Sequence, residues 1–384
     1  MLTLSRNHDA VSQSEIRAMT IACAKAGGIN LAQGVCDLDV PSVVTAGAAQ
    51  AMQDGYNVYT RFDGLIELRR AIADKQKRFT GLAYDPEGEV TVSCGATGAF
   101  YCACLALLDP GDEVIMFEPY YGYHVSTLAS VGAKTVPLRL SAPGWSFTPA
   151  DLTRLATPRT KALVLNSPMN PLGKVFTRAE LQMVADFARE RDIFVFTDEI
   201  YEHFLYDGAE HFSLATWPGM RERTIVISGL SKIFSITGWR LGYTLCDARW
   251  AKAIGHFNDL VYVCAPAPLQ MGAARGLNEL PESYYHGVAA EHLGKRERMC
   301  RALTTAGLTP IVPQGAYYVL ADLSRLPGAD DRERAMFLLE QTGVACVPGR
   351  AFFSDASGAG LGRFCFSKRD PALDEACARL ARLG

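Results

Sequence analysis

From about residue 90 to residue 245, short apolar runs alternate with longer stretches of helical period. The runs are 89-EVTVS-93, 113-EVIMFE-118, 134-KTVPLR-139, 161-KALVLN-166, 193-IFVFTD-198, 224-TIVIS-228 and 241-LGYTLC-246. Several are apolar throughout, the pattern of strands covered on both faces. Between them, 97-TGAFYCACLALL-108 and 177-TRAELQMVADFARER-191 read as helices. Thr177 with Glu180 supplies a capping box for the second. Strand–helix alternation of this kind predicts an α/β fold with a mostly parallel central sheet. The pattern changes near residue 283. A charged, helix-forming stretch at about 282–306 is followed by 315-GAYYVLADL-323, 333-ERAMFLLEQTG-343, 344-VACVPG-349, 363-RFCFS-367 and 371-PALDEACARLARL-383. This mixture predicts a smaller α+β unit. Within it, 291-EHLGKRERM-299 reads as a solvated helix face.

Composition narrows the class. The 384 residues are 49% apolar and 21% charged, which suits a chain with a substantial core. A formal charge of −3 points to no nucleic-acid or membrane-surface partner. No run of eighteen apolar residues suggests a membrane span, and the polar N-terminus MLTLSRNHDAVSQSEIR does not read as a secretory signal. The eleven cysteines sit singly in apolar runs, as buried reduced thiols of a cytoplasmic protein would. Cys102 and Cys104 lack a partner pair, so no metal site is expected.

In open α/β sheets, ligands bind beyond the carboxyl ends of the strands. After EVTVS, Gly95 and Ala96 allow close backbone approach, and Thr97 is placed to cap the next helix, a setting that suits phosphate. After EVIMFE, 119-PYYGY-123 offers an aromatic wall. After KALVLN, the rigid turn 167-SPMNPLG-173 presents Asn170. After IFVFT comes Asp198, a carboxylate that is costly there without a partner, with Tyr201 three residues on. After TIVIS comes 228-SGLSKIFSITGWRLGY-243, in which Ser231 and Arg240 suit a phosphate and flank Lys232. A lysine held beside other cations has a lowered pKa, and the free amine is what Schiff-base chemistry needs. Together these groups match the needs of pyridoxal 5′-phosphate (PLP): a cup for phosphate, a carboxylate for the ring nitrogen and a lysine for the aldehyde. His203 and His211 have no acid partner that the sequence places, and ordinary packing is the expected role of His124.

The motifs SKIFSITGWRLGY, NSPMNPLGKVF and TDEIYEHF, in this order and preceded by 59-YTRFDGLIELRRAIA-73, resemble those of fold-type I PLP enzymes. More narrowly, the chain is similar to class I/II aminotransferases of the aspartate/aromatic and kynurenine/glutamine transaminase branch. The resemblance runs from 31-LAQGVCDLDVP-41 to 363-RFCFS-367. It implies an N-terminal segment, 1–40, joining the small domain, a large PLP-binding domain over 41–283, and a small domain over 284–384. It implies that Lys232 is the Schiff-base lysine, Asp198 the partner of the pyridine nitrogen, and Tyr201 and Asn170 the partners of the ring 3′-oxygen. Tyr121 takes the stacking position. Gly95, Ala96, Thr97, Ser231 and Arg240 surround the phosphate. Tyr59 reaches the phosphate of a neighbouring subunit, which implies a homodimer with shared sites. Arg363, with Asn170 and the backbone of Gly34, holds the substrate α-carboxylate.

The chain departs from the family pattern in places. Gly229 stands where relatives carry a serine three residues before the lysine, leaving Ser228, one step earlier, as the candidate contact. Cys36 replaces a common proline. Thr97 replaces the lysine that some aspartate-preferring enzymes use for a second carboxylate, although another arginine such as Arg61 could serve. The expected reaction is ping-pong transfer of an amino group from an L-amino acid to a 2-oxo acid, with Lys232 moving the proton. The expected donors are neutral or aromatic. The same cofactor contacts also serve C–S β-lyases and other PLP eliminations or oxidations, which is the alternative chemistry. A non-catalytic ligand-binding relative is disfavoured by the presence of Lys232, Asp198 and Arg363.

Overall fold

A computed structural model describes residues 2–5, 8 and 14–384. The remainder of the expected 1–40 segment lies outside the described residues. Thirteen strands are present among them. β1 is Ile29–Asn30, β2 Val90–Cys94, β3 Glu113–Glu118, β4 Lys134–Arg139, β5 Thr160–Asn166, β6 Phe194–Asp198, β7 Thr224–Gly229 and β8 Leu241–Leu245. β9 is Thr309–Ile311, β10 Tyr318–Asp322, β11 Val344–Ala345, β12 Val347–Pro348 and β13 Leu361–Cys365.

β2 to β8 form a seven-stranded sheet in the order β2-β8-β7-β6-β5-β3-β4. β3 to β7 pair in parallel, and β8 runs antiparallel to both β2 and β7. The sheet is therefore mostly parallel, as the apolar runs predict. β3 and β7 are buried throughout, and β5 and β6 are buried beyond their first one or two residues, since helices such as Gly95–Leu107 and Arg178–Arg191 flank them. The Thr177–Glu180 capping box forms with both reciprocal bonds. Thr97 does not cap its helix. That helix starts at Gly95 with Cys94 before it, so Thr97 lies within the first turn.

The C-terminal part holds an antiparallel sheet in the order β12-β13-β10-β9 and the helices Glu282–Thr305, Asp331–Thr342 and Asp370–Leu380. β1 pairs in parallel with β11, which ties the early chain to this part. The stretch 291–299 corrects the expectation of a solvated face. His292, Lys295, Arg296 and Met299 recur at helical spacing and are all buried. Their polar ends are satisfied: Lys295 Nζ donates to Lys368 O at 2.8 Å and pairs with Asp370, and the Arg296 guanidinium pairs with Asp207. Charge alone does not mark a surface when each charge meets a partner at the edge of the core. All eleven cysteines are unpaired, seven of them buried and none fully exposed. No helix of the described residues is long and apolar enough to cross a membrane.

Candidate active site

The register of the parallel strands aligns their carboxyl ends. Asn166 at the end of β5 lies opposite Asp198 at the end of β6, and Asp198 lies opposite Ile227 of β7. Beyond these ends is a cavity of about 490 Å³. Ala96, Thr97, Tyr121 and Asn170 line it, as do Asp198, Tyr201, Ser231, Lys232 and Arg240. Gly34 from the early chain and Arg363 from β13 close it. Residues that the sequence spreads over more than three hundred positions thus face one space.

Lys232 Nζ donates to Gly34 O at 3.2 Å and sits 5.7 Å from the centre of the Tyr317 ring. Among the described residues no carboxylate forms an ion pair with it. Burial lowers its pKa from 10.5 to about 8, and the nearby Arg240 charge pushes the same way. Asp198 Oδ2 is 3.2 Å from His124 Nε2, and Oδ1 accepts from the Ile200 amide at 3.2 Å. His124 is thus the carboxylate's partner rather than ordinary packing. Its ring is also held edge-on by Tyr121, 5.3 Å between centres. The signal was available: His124 follows Tyr121 by three residues, the spacing that brings side chains together in a first helical turn.

Tyr201 and Tyr318 share a hydroxyl contact of 3.0 Å, and burial raises both phenols, Tyr318 to about 12. Both therefore keep their protons at neutral pH. Arg363 is fully buried. Its Nη1 donates to Asn170 Oδ1 at 2.8 Å and Nη2 to Ala32 O at 2.6 Å, while its plane packs 4.2 Å from the Tyr318 ring centre. Its Nε has no hydrogen-bond partner. A buried guanidinium with no carboxylate partner among the described residues and an idle donor is ready for an anion. Gly34 is needed here for close approach: a Cβ would lie 1.8 Å from the Tyr318 hydroxyl. Tyr318 is not marked by the sequence, because both tyrosines of YYVLAD are buried and nothing in the stretch shows which one lines the cavity.

Three predicted residues lie outside the cavity lining. Gly95 makes room instead of contact. Its φ is +75°, and a Cβ there would come 2.2 Å from Arg240 Nη2. Ser228 turns away from the cavity, and its hydroxyl meets Glu202 Oε1 at 3.1 Å. Neighbouring strand residues point to opposite faces, so Ser228 does not stand in for the position of Gly229. A Cβ at Gly229 would itself crowd Leu241 O at 3.0 Å. Tyr59 is 81% exposed and lies at the surface of its own chain. Arg61 does not line the cavity either: Asp63, at 2.7 Å, and Glu87 take its guanidinium.

His211 also has the acid the sequence did not place, Glu199 Oε2 at 3.1 Å. His203 remains without a partner at Nε2. Among the described residues, Glu199, Glu202 and His211 bring ligand atoms within 4.8 Å of one another. Both carboxylates already have partners, Lys75 on Glu202 and Ser213 and Thr197 on Glu199, while His211 Nδ1 has none.

The cavity's donor set fits PLP. It offers a buried carboxylate for a pyridinium nitrogen and a depressed amine for an aldehyde. Hydroxyls, a guanidinium and a helix N-terminus beside Gly95 suit a phosphate.

Comparison with known proteins agrees. The family model "Aminotransferase class I and II" matches residues 26–380. The chain belongs to the class I and II aminotransferases. It is 37% identical over 376 residues to a probable N-succinyldiaminopimelate aminotransferase of Mycobacterium tuberculosis, covering 95% of this chain and 94% of the relative. It is 36% identical over 378 residues to kynurenine–oxoglutarate transaminase 3 of Mus musculus, covering 91% and 83%. The solved structure of the Mycobacterium tuberculosis N-succinyldiaminopimelate aminotransferase superposes with a TM-score of 0.95 at 36% identity, covering all of both chains. The aminotransferase uses PLP and moves an amino group from an amino acid to a 2-oxo acid. Nothing in these matches favours the lyase alternative.

Proposed function

We propose that Lys232 is the Schiff-base lysine and proton carrier of this aminotransferase, working between an L-amino acid donor of neutral or aromatic side chain and 2-oxoglutarate. The observation that carries this is the unpaired, pKa-lowered amine of Lys232 facing the same cavity as Asp198 and Arg363. When bound, PLP supplies an electron sink for the substrate α-carbon. The chain's residues do the rest. Asp198, oriented by His124, holds the ring nitrogen protonated. Tyr201 and Asn170 hold the 3′-oxygen, and Tyr121 covers a ring face. Ala96, Thr97, Ser231 and Arg240 take the phosphate. Arg363, with Asn170 and Gly34, fixes the α-carboxylate and so aims the α-proton at Lys232 Nζ. The amine must be free to accept that proton, and a pKa of about 8 leaves a useful neutral fraction near physiological pH. 2-Oxoglutarate as acceptor is supported by the similarity to the kynurenine–oxoglutarate transaminase.

The working unit in this proposal is a cytoplasmic homodimer with sites shared through Tyr59. Val58, Tyr59 and Leu260 are exposed, and the chain segments that carry them meet where the Thr60 amide donates to Cys264 Sγ at 3.5 Å. An apolar patch of that kind suits a second copy of the chain. The unpaired cysteines suit a reducing compartment. The domain division at 40/41 and 283/284 belongs to the same proposal, supported by the β1–β11 pairing and by the helix that begins at Glu282.

The test is an absorbance scan of holoenzyme mixed with single amino acids and no oxo acid. Neutral or aromatic donors should convert the lysine-bound cofactor band to a stable pyridoxamine-type band, and 2-oxoglutarate should restore it. Conversion by acidic donors alone would sink the donor assignment. Release of ammonia with pyruvate would replace transfer by elimination.

A further inference from the structure

The phenol of Tyr318 lines the active-site cavity but has no task in the proposed function. The structure nevertheless holds it firmly. The Arg363 guanidinium lies 4.2 Å from the centre of its ring. That contact follows from the sheet. Arg363 of β13 faces Leu320 of β10, and Tyr318 lies two residues before Leu320, on the same face. The Tyr318 hydroxyl packs so closely on Gly34 that a Cβ there would lie 1.8 Å away. The same hydroxyl meets that of Tyr201 at 3.0 Å. A phenylalanine ring would cover Arg363 equally well, so the contact with Arg363 does not account for the hydroxyl.

Among the described residues the Tyr201 hydroxyl has no other hydrogen-bond partner. Tyr201 is the residue assigned above to the cofactor's 3′-oxygen. A phenol has one hydrogen to donate and accepts through its oxygen. Once Tyr201 gives its hydrogen to the 3′-oxygen, none is left for Tyr318. Their contact then persists only with Tyr318 as the donor. Tyr318 has the hydrogen to give, because burial keeps it protonated at neutral pH. The neighbouring Tyr317 hydroxyl is engaged elsewhere, donating to Gly34 O at 3.2 Å.

We infer that Tyr318 is a positioning residue that acts through Tyr201: it donates to the Tyr201 oxygen and so strengthens the bond from Tyr201 to the cofactor's 3′-oxygen. Hydrogen bonds in a chain polarise one another, and low local dielectric amplifies each of them. The consequence is a change in proton affinity at the lysine-bound cofactor. Negative charge on the 3′-oxygen holds a proton on the adjacent lysine-derived nitrogen. Donors to that oxygen draw the charge away and loosen the proton. The inference rests on the proposed role of Tyr201.

The experiment titrates the visible cofactor band of the holoenzyme with pH, in wild type, Tyr318→Phe, Tyr201→Phe and the double variant. Tyr201→Phe removes a hydrogen bond to a charged oxygen and should raise the midpoint by about 1–2 pH units. Tyr318→Phe should raise it by about 0.3–0.5 unit, the share of one further bond in the chain. In the Tyr201→Phe background, Tyr318→Phe should add nothing. The other groups facing the pair are Tyr121, Asp198, Tyr317, Arg363 and Cys365. They are common to every variant and cancel in the differences. Calorimetry with butyrate, an unreactive monocarboxylate, should give Tyr318→Phe a dissociation constant within about twofold of wild type, since the ring still covers Arg363. A falling midpoint would show Tyr318 competing for the Tyr201 hydrogen instead of supporting it. A rise that persists in the Tyr201→Phe background, or that comes with about a tenfold loss of butyrate affinity, would show a general disturbance of the cavity. Each of these results, like an unchanged midpoint, overturns the inference while Tyr201 keeps its role. If Tyr201→Phe itself leaves the midpoint unchanged, the reading of Tyr201 fails and the inference falls with it.

Discussion

Lys75 and Lys232 are both withdrawn from bulk water in the large-sheet part of the molecule, yet their surroundings drive them in opposite directions. Burial alone would lower both. For Lys75, the carboxylate of Glu202 reverses this, with the Tyr243 hydroxyl at 3.2 Å, and its pKa ends above the ordinary value. Burial would raise Glu202, but Lys75 and two nearby histidines hold it at about 2. Lys232 has only the Gly34 carbonyl and the face of Tyr317, so desolvation wins. The difference shows that burial alone does not set the direction of a lysine's pKa: a directly paired carboxylate reverses it. The sheet edge separates the two cases, since Ser228 turns toward Glu202 while Ser231 and Lys232 turn into the cavity.

The largest expected effect lies on the Lys232 side. Lys232→Ala should cut transamination on the order of 10⁴-fold, the upper range for a lost acid–base group. It should also shift the cofactor's visible band, while the unfolding midpoint changes little. Retention of turnover with the same donor would dismantle the contrast. On the other side, Lys75→Met leaves Glu202 buried and unpaired. It should cost about 3–5 kcal/mol of stability in urea unfolding. Lys75→Met with Glu202→Leu should recover most of that loss. A cofactor band unchanged in the folded double variant would show that this pair is structural. A double variant no more stable than the single one would show that the pair is not the source of the cost.

The sequence made one of these lysines legible and hid the other, for a physical reason. Lys232 follows a buried strand and sits in a run of small and hydroxyl residues, so local sequence carries its signal. The same holds for Asp198, Asn170 and the capping box of Thr177. Lys75 lies in the helix Ile66–Thr80, among the charged residues of IELRRAIADKQKRFT, and its partner is 127 positions away. Nothing local distinguishes it from solvated neighbours. His292, Lys295 and Arg296 were misread in the same way, because their partners Ser367, Asp370 and Asp207 come from other elements. Strand ends can be read from local pattern, whereas long-range pairing of buried charge requires the fold.

The smallest effect tests the contrast through pH. Lys232 has a folded pKa of about 8 against 10.5 in the unfolded chain. Between those values the unfolded state binds the extra proton, so stability contributed by this site rises with pH across that window. Glu202 has the same sign of slope at the acid end, but there the charged form is the one the fold stabilises. Its folded value of about 2 lies below the ordinary 4.5, so its contribution is full above 4.5 and is lost as pH falls toward 2. Buried thiols and phenols also titrate at alkaline pH, and His203, lowered by burial to about 3, adds to the acid window. Comparing cofactor-free wild type with Lys232→Met cancels those shared groups. The difference in unfolding free energy should move in favour of wild type as pH rises from about 8 to 10.5 and stay flat from pH 5 to 7. A flat difference across the whole range would mean that Lys232 is charged in the folded chain, and the two lysines would no longer differ.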